Sequence, residues 1–141
     1  MYDVKSRAEL FVRSESTTVT GISREWGAHS AVPREATVLG RAILKALAAS
    51  REGIPDSDKL SEHGKALLKA AGVRSYDALD SKARAIWIEQ SSTNKITFVP
   101  CDNSVGLVAD YDHATSIRLP HTAEKVGLAA LKALNHSTFR S

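Results

Sequence analysis

GRAILKALAAS (residues 40–50) and GLAALKALNHS (residues 127–137) spell nearly the same eleven residues at two places in one chain. Leu39, Ile43 and Leu47 recur at helical spacing in the first, flanked by Gly40, Leu44 and Ala46. Val126, Ala130 and Leu134, flanked by Gly127, Leu131 and Ala133, take the aligned positions in the second. Each helix therefore presents one apolar face. A glycine inside a helix costs about 1 kcal/mol relative to alanine. The same cost at the same register in both helices points to a shared steric need, a close approach of helix backbone to a sheet or to the other helix.

The similarity extends outward from the helices. ELFVR (9–13) is followed by TTVTGIS (17–23), and AIWIE (85–89) by KITFVP (95–100). Both pairs are rich in β-branched and aromatic residues and are separated by the short polar stretches SEST and QSSTN, the pattern of a β-hairpin. The first pair leads through REWGAHSAVP, and the second through CDNSVGLVADYDHATSIRLP, which holds two more candidate strands at 105–109 and 115–119. Pro33 and Pro120 then mark the helix entries. The expectation is an α+β fold with a mostly antiparallel sheet and helices packed on it. Two copies of a β-hairpin-plus-helix unit, 8–50 and 83–137, are joined by a helical insert, 51–82, within a single domain spanning 1–141. In the insert, Ser57 or Asp58 is a candidate N-cap for a helix carrying Leu60, Leu67 and Leu68, with Gly64 inside it. Gly72 is placed to end that helix in a left-handed cap, and Ser75 to start a second, short one.

A chain of 141 residues with 43% hydrophobic and 25% charged residues has the composition of an ordinary compact domain. No run of eighteen apolar residues occurs and the N-terminus lacks the pattern of a signal peptide, so the expected location is the cytoplasm. Cys101, the single cysteine, allows no intrachain disulfide and reads as a small packed residue. The net charge of +3 is spread thinly. Residues 1–54 hold eight Lys/Arg against six Asp/Glu, 55–81 four against five, and 82–141 seven against five. No block or stripe tracks a phosphate backbone, so no direct nucleic-acid partner is expected.

Catalytic and cofactor patterns are absent: no P-loop, GxGxxG, GxSxG, HExxH or paired CxxC. The histidines at 29, 63, 113, 121 and 136 lack metal-ligand spacing. DYDH (110–113) is the densest functional-looking cluster, and its carboxylates and imidazole suit a metal or an acid–base pair. A solvated turn is the simpler reading of the same residues. Catalytic residues, metal and cofactor are therefore expected to be none. Trp87 alternates with Ile86 and Ile88 and reads as a packed residue of a sheet face. Trp26, in REWGAH, reads either as an interface anchor or as a lid over the core.

LLKAAGVRSYDALDSKARAIWIEQ (67–90), followed by KITFVP and by SIRLPHTAEKVGLAALKAL (116–134), resembles the immunity proteins of bacterial contact-dependent growth inhibition systems. Gly72, Val73, Ser75 and Tyr76 carry the resemblance in the first segment, and Leu119, Pro120, Glu124 and Gly127 in the last. Residues 101–114 depart from the glycine-rich, aromatic-containing stretch common in that family. The resemblance implies a small cytosolic protein, not an enzyme, that binds the toxic C-terminal domain of an exported effector, often a nuclease, and blocks it. It implies no membrane partner and leaves the oligomeric state open. The surface outside the repeated elements is where such a partner is expected to bind. That nominates Arg24, Glu25, Trp26 and His29 in the stretch 23–32, and Asp102, Asp110, Tyr111 and Asp112 in 102–113. Two other function classes stay open on the sequence: a nucleic-acid-associated or regulatory adaptor, and a small metal-dependent enzyme using Asp110, Asp112 and His113.

Overall fold

The computed structural model describes residues 1–21, 23–55, 62–91, 94–118 and 120–140, with the backbone alone for Thr18, residues 24–28 and His63. The candidate caps Ser57 and Asp58, and Leu60 and Leu119, lie outside the described residues. Among the described residues the fold is α+β, an eight-stranded, mostly antiparallel sheet with four helices. Strands β1 (Tyr2–Val4), β2 (Leu10–Thr18) and β3 (Ser23–Val32) lead into helix α1 (Ala36–Ala49) and strand β4 (Glu52–Ile54). Helices α2 (Glu62–Ala71) and α3 (Tyr76–Lys82) follow. Strands β5 (Ala83–Gln90), β6 (Lys95–Asp102), β7 (Val108–Ala109) and β8 (Thr115–Arg118) then precede helix α4 (Ala123–Leu134).

The sheet runs β3-β2-β1-β5-β6-β7, with β4 parallel to β2 and β8 antiparallel to β6. Two hairpins, β2–β3 and β5–β6, are thus joined through β1, whose Tyr2 and Asp3 pair with β2 on one side and whose three residues pair with β5 on the other. One sheet face carries Leu10, Val12, Ile86, Ile96 and Phe98 against Leu39 and Ile43 of α1 and Val126, Ala130 and Leu134 of α4. Full burial of a side chain such as Leu39 or Ile43 contributes about 1.5–3 kcal/mol. The opposite face carries Tyr2, Phe11, Ala83, Ala85 and Cys101 under Leu67 and Leu68 of α2 and Leu79 of α3.

Local chemistry sets the helix ends. Glu35 caps α1 by accepting from the N–H groups of Thr37 (3.1 Å) and Val38 (2.7 Å), and Thr122 caps α4 through Lys125. Ser75 caps α3 by accepting from Ala78 N–H at 3.1 Å. Gly72 ends α2 at φ +75°, the left-handed cap that its position after the leucines predicts.

The first hairpin differs from its expected form. SEST, read as the turn, lies inside β2, and the stretch 23–32, read as a loop, is strand β3. Ser14 and Ser16 look like turn residues because they are polar, yet both are buried. The Ser14 hydroxyl donates to Ala46 C=O at the end of α1, and the Ser16 oxygen accepts from Arg51 N–H at 2.9 Å. Buried polar groups satisfied in this way are compatible with a strand. In β3 the pairing moves from Arg13↔His29 to Glu15↔Glu25, so a bulge falls at 26–28, around Gly27. That bulge interrupts the alternation by which a strand is recognised. In the second hairpin β5 and β6 match the expectation, while the strand expected at 105–109 contracts to β7.

Gly40 and Gly127 occupy equivalent places in a direct helix–helix contact. A Cβ on Gly40 would stand 2.5 Å from the carbonyl carbon of Ala123, the first residue of α4, and closer still to its oxygen. A Cβ on Gly127 would stand 2.5 Å from the carbonyl carbon of Ala36, the first residue of α1. The obstacle is backbone in both cases and cannot rotate away. Gly40→Ala and Gly127→Ala are each expected to destabilise the protein by about 1–3 kcal/mol of overpacking, despite the propensity gain of about 1 kcal/mol. Urea melts check this; a gain in stability at either position would contradict the contact.

Candidate functional site: a cleft between the two hairpins

β1 bridges the hairpins only over its short length. Met1 extends the bridge by exchanging two backbone hydrogen bonds with Ile86; beyond it, among the described residues, no strand joins Arg13–Glu15 of β2 to Trp87–Glu89 of β5, and a cleft of about 400 Å³ opens between them. Its apolar lining includes Met1, Val12, Ile86 and Ile88 on the sheet side and Ile43, Ala46 and Leu47 of α1. The first-hairpin serines help to form it, since Ser14 fastens the end of α1 beside β2.

Trp87 stands at this cleft and is 45% exposed, not packed as its alternation with Ile86 and Ile88 implies. It shares a face with Ala83 and Ala85 by strand alternation. Leu79 of α3 covers the beginning of that face, but α3 is only seven residues long and ends at Lys82. The large aromatic side chain is left about half exposed.

Charge around the cleft is acidic although the chain as a whole is basic. Among the described residues its charged side chains are three carboxylates, Glu15, Asp80 and Glu89, against one guanidinium, Arg13. Arg13 is held in place: it donates to Glu15 at 2.8 Å and lies over the rings of Tyr2 and Tyr76, 5.2 and 5.0 Å from their centroids. Burial raises the Asp80 carboxyl above its ordinary pKa, and the nearby Arg13 charge opposes that rise. Glu89 accepts a hydrogen bond from the Tyr111 hydroxyl at 3.0 Å, which raises the phenol pKa because the bond favours its protonated form. Cys101 is buried, and burial pushes its thiol up to about 11, the behaviour of a packed residue and not of a nucleophile.

The residues nominated from sequence are distributed unevenly about this cleft. Tyr111 reaches it through Glu89, and Leu107, from the same connection, lines it directly. His29 is exposed on β3 and pairs in register with Arg13. The backbones of Arg24 and Glu25 pair with Ser16 and Glu15, while the side chains of Arg24, Glu25 and Trp26 lie outside the described residues. Asp110 is bound to His113 Nδ1 at 2.7 Å, and Asp112 is exposed beside it in a 3-10 turn spanning Tyr111–His113. Among the described residues no three His, Cys, Asp or Glu side chains group to hold a metal ion. Asp102 has a structural part. It accepts from Ser104 N–H at 2.9 Å and from the Thr138 hydroxyl at 3.0 Å, bonds that lower its carboxyl pKa.

Sequence reading missed Asn103. It is fully buried, and its side-chain amide donates at 2.7 Å to both Asp80 C=O and Ala83 C=O, at the join of α3 and β5. Its own N–H donates to Thr138 Oγ1 at 2.8 Å. In the sequence it is one more polar residue in a polar connection, with no local sign of burial. Asn103→Ala strips the buried Ala83 carbonyl and the partly buried Asp80 carbonyl of their donor and is expected to cost about 1–3 kcal/mol in a denaturant melt. An unchanged melt would show that these bonds add nothing to the fold.

No protein-family profile and no curated protein matches the chain. Solved structures do. A protein of unknown function from Neisseria meningitidis superposes with a TM-score of 0.73 at 17% identity, covering 97% of this chain and 93% of that one. A chain of a CdiA-CT/CdiI toxin and immunity complex from Yersinia pseudotuberculosis superposes with a TM-score of 0.70 at 15% identity, covering 97% of this chain and 94% of that one. The likeness is one of fold over nearly the whole length.

Proposed function

We propose that this chain is a non-catalytic immunity protein, which binds and neutralises the C-terminal toxin domain of a contact-dependent growth inhibition effector in the cytoplasm of the cell that makes it. The observation that carries the reading is the near full-length similarity of fold to a chain of a toxin and immunity complex. The segments 67–90 and 116–134 resemble the immunity half. We further read the chain as one domain, 1–141, in which a β-hairpin-plus-helix unit is used twice, at 8–50 and 83–137, around the insert 51–82. The reciprocal contacts of Gly40 and Gly127 support that reading.

The cleft is the docking site this function needs. A nuclease toxin carries a basic surface for its phosphate substrate, and an inhibitor of net charge +3 opposes it only where carboxylates are gathered. Glu15, Asp80 and Glu89 gather at the cleft, with Asp110 and Asp112 on the connection that Tyr111 ties to Glu89. Trp87 supplies an aromatic anchor in its lining, and Tyr111, 58% exposed, a second beside it. His29 extends the same surface along β3. The partner's area must reach about 1,200–2,000 Å² in total, so Arg24, Glu25 and Trp26 remain within its expected reach.

Trp87→Ala is expected to weaken binding of the cognate toxin domain by about 30-fold or more, the mark of an anchor residue. Glu89→Gln combined with Asp112→Asn is expected to slow association and reduce its salt dependence. Surface plasmon resonance at two ionic strengths measures both. Failure of the wild-type chain to bind the toxin domain or to rescue growth on co-expression would overturn the function. Wild-type binding with Trp87→Ala unaffected would overturn the site alone.

A further inference from the structure

A second feature lies away from the carboxylate cleft. Lys5 and Arg7 follow β1, Arg34 precedes α1, and Arg84 lies on β5; all four line one open basin of about 560 Å³, together with Asp3 and Phe139. Among the described residues, four cations from three separate stretches of chain converge there against one carboxylate, an excess of three positive charges. That equals the net charge of the whole protein, +3.

The basin is built, not a chance meeting of mobile side chains. Asp3, with its side chain only 5% exposed, binds Arg34 Nη2 through one oxygen and Arg84 Nε at 2.8 Å through the other. Arg34 Nε donates to Ala8 C=O at 3.2 Å and Arg7 Nη2 to Ala70 C=O at 2.8 Å. Lys5 and Arg84 lie 5.3 and 5.1 Å from the centroid of the Phe139 ring. Each guanidinium has five N–H donors in a fixed fork, and these bonds use one or two of them. Lys5 Nζ donates to Arg140 C=O at 3.4 Å. Asp3 therefore orients two forks and neutralises one charge at the wall of a basin that Lys5 and Arg7 also line.

We propose that this basin binds a phosphate group, either inorganic phosphate or the terminal phosphate of a small organic phosphate. A carboxylate matches one fork and neutralises a single charge. A phosphate monoester carries close to two charges and three strong acceptor oxygens, which suits two oriented guanidinium groups beside the point charge of Lys5. The site does not depend on the toxin-binding reading and uses none of the residues assigned to it.

The test titrates inorganic phosphate, and separately a nucleoside monophosphate, into the protein at constant ionic strength held with chloride, followed by amide chemical shifts. The expected result is saturable shifts at residues 5–7, 34, 84 and 139. Lys5→Gln/Arg7→Gln, which leaves both partners of Asp3 in place, should lower the affinity at least about tenfold, while Lys132→Gln on α4 should leave it unchanged. Equal affinity for the two ligands supports recognition of the phosphate alone; tighter binding of the nucleotide supports an organic phosphate at the same site. Non-saturating shifts, or equal affinity in Lys5→Gln/Arg7→Gln and wild type, would overturn the proposal.

Discussion

Two glycines let the first turns of α1 and α4 touch backbone to backbone, and the layer of helices over the sheet is organised around that contact. Gly40 meets the carbonyl of Ala123 and Gly127 that of Ala36, so each helix offers its fifth residue to the first residue of the other. The hydrogen standing where a Cβ would be points toward a carbonyl, the geometry of a Cα–H···O contact. With the helices so close, Leu39, Ile43, Val126 and Ala130 share one buried layer against both hairpins. The two halves of the chain are thereby coupled on the helical side of the sheet.

On the strand side the coupling is weaker, and the cleft follows from that. Among the described residues only β1 and Met1 before it span the space between the hairpins, and where that pairing stops the sheet opens over α1. A short α3 leaves Trp87 about half exposed at the same place. Apolar floor and half-exposed aromatic thus follow from element lengths, and the connection bearing Leu107 and Tyr111 completes the rim. The charge of the protein separates accordingly, with carboxylates around this cleft and guanidinium groups around Asp3.

What the sequence disclosed tracks how local each feature is. Both long helices, the Gly72 and Ser75 signals and the β5–β6 hairpin follow from periodicity and capping within a few residues. The first hairpin does not, because Ser14 and Ser16 owe their place in a strand to partners more than thirty residues away in α1 and just beyond it. β3 is disguised by its bulge, and β1 is too short to carry a pattern; pairing on both sides defines it. The candidate site was legible only in part. Tyr111 stands out as an aromatic between carboxylates, whereas the exposure of Trp87 depends on where α3 stops, and Asn103 looks like any loop residue until its two carbonyl partners are in view.

A fold shared with a chain of a toxin and immunity complex is joined here to a specific acidic cleft. Hydrogen exchange of the chain with and without the cognate toxin domain tests that union most directly. Exchange is expected to slow on complex formation along residues 85–89 and 107–111, the segments that bear Trp87, Glu89 and Tyr111. Protection confined to the exposed side of α4 or to the basin around Asp3, with those segments exchanging as in the free protein, would contradict it.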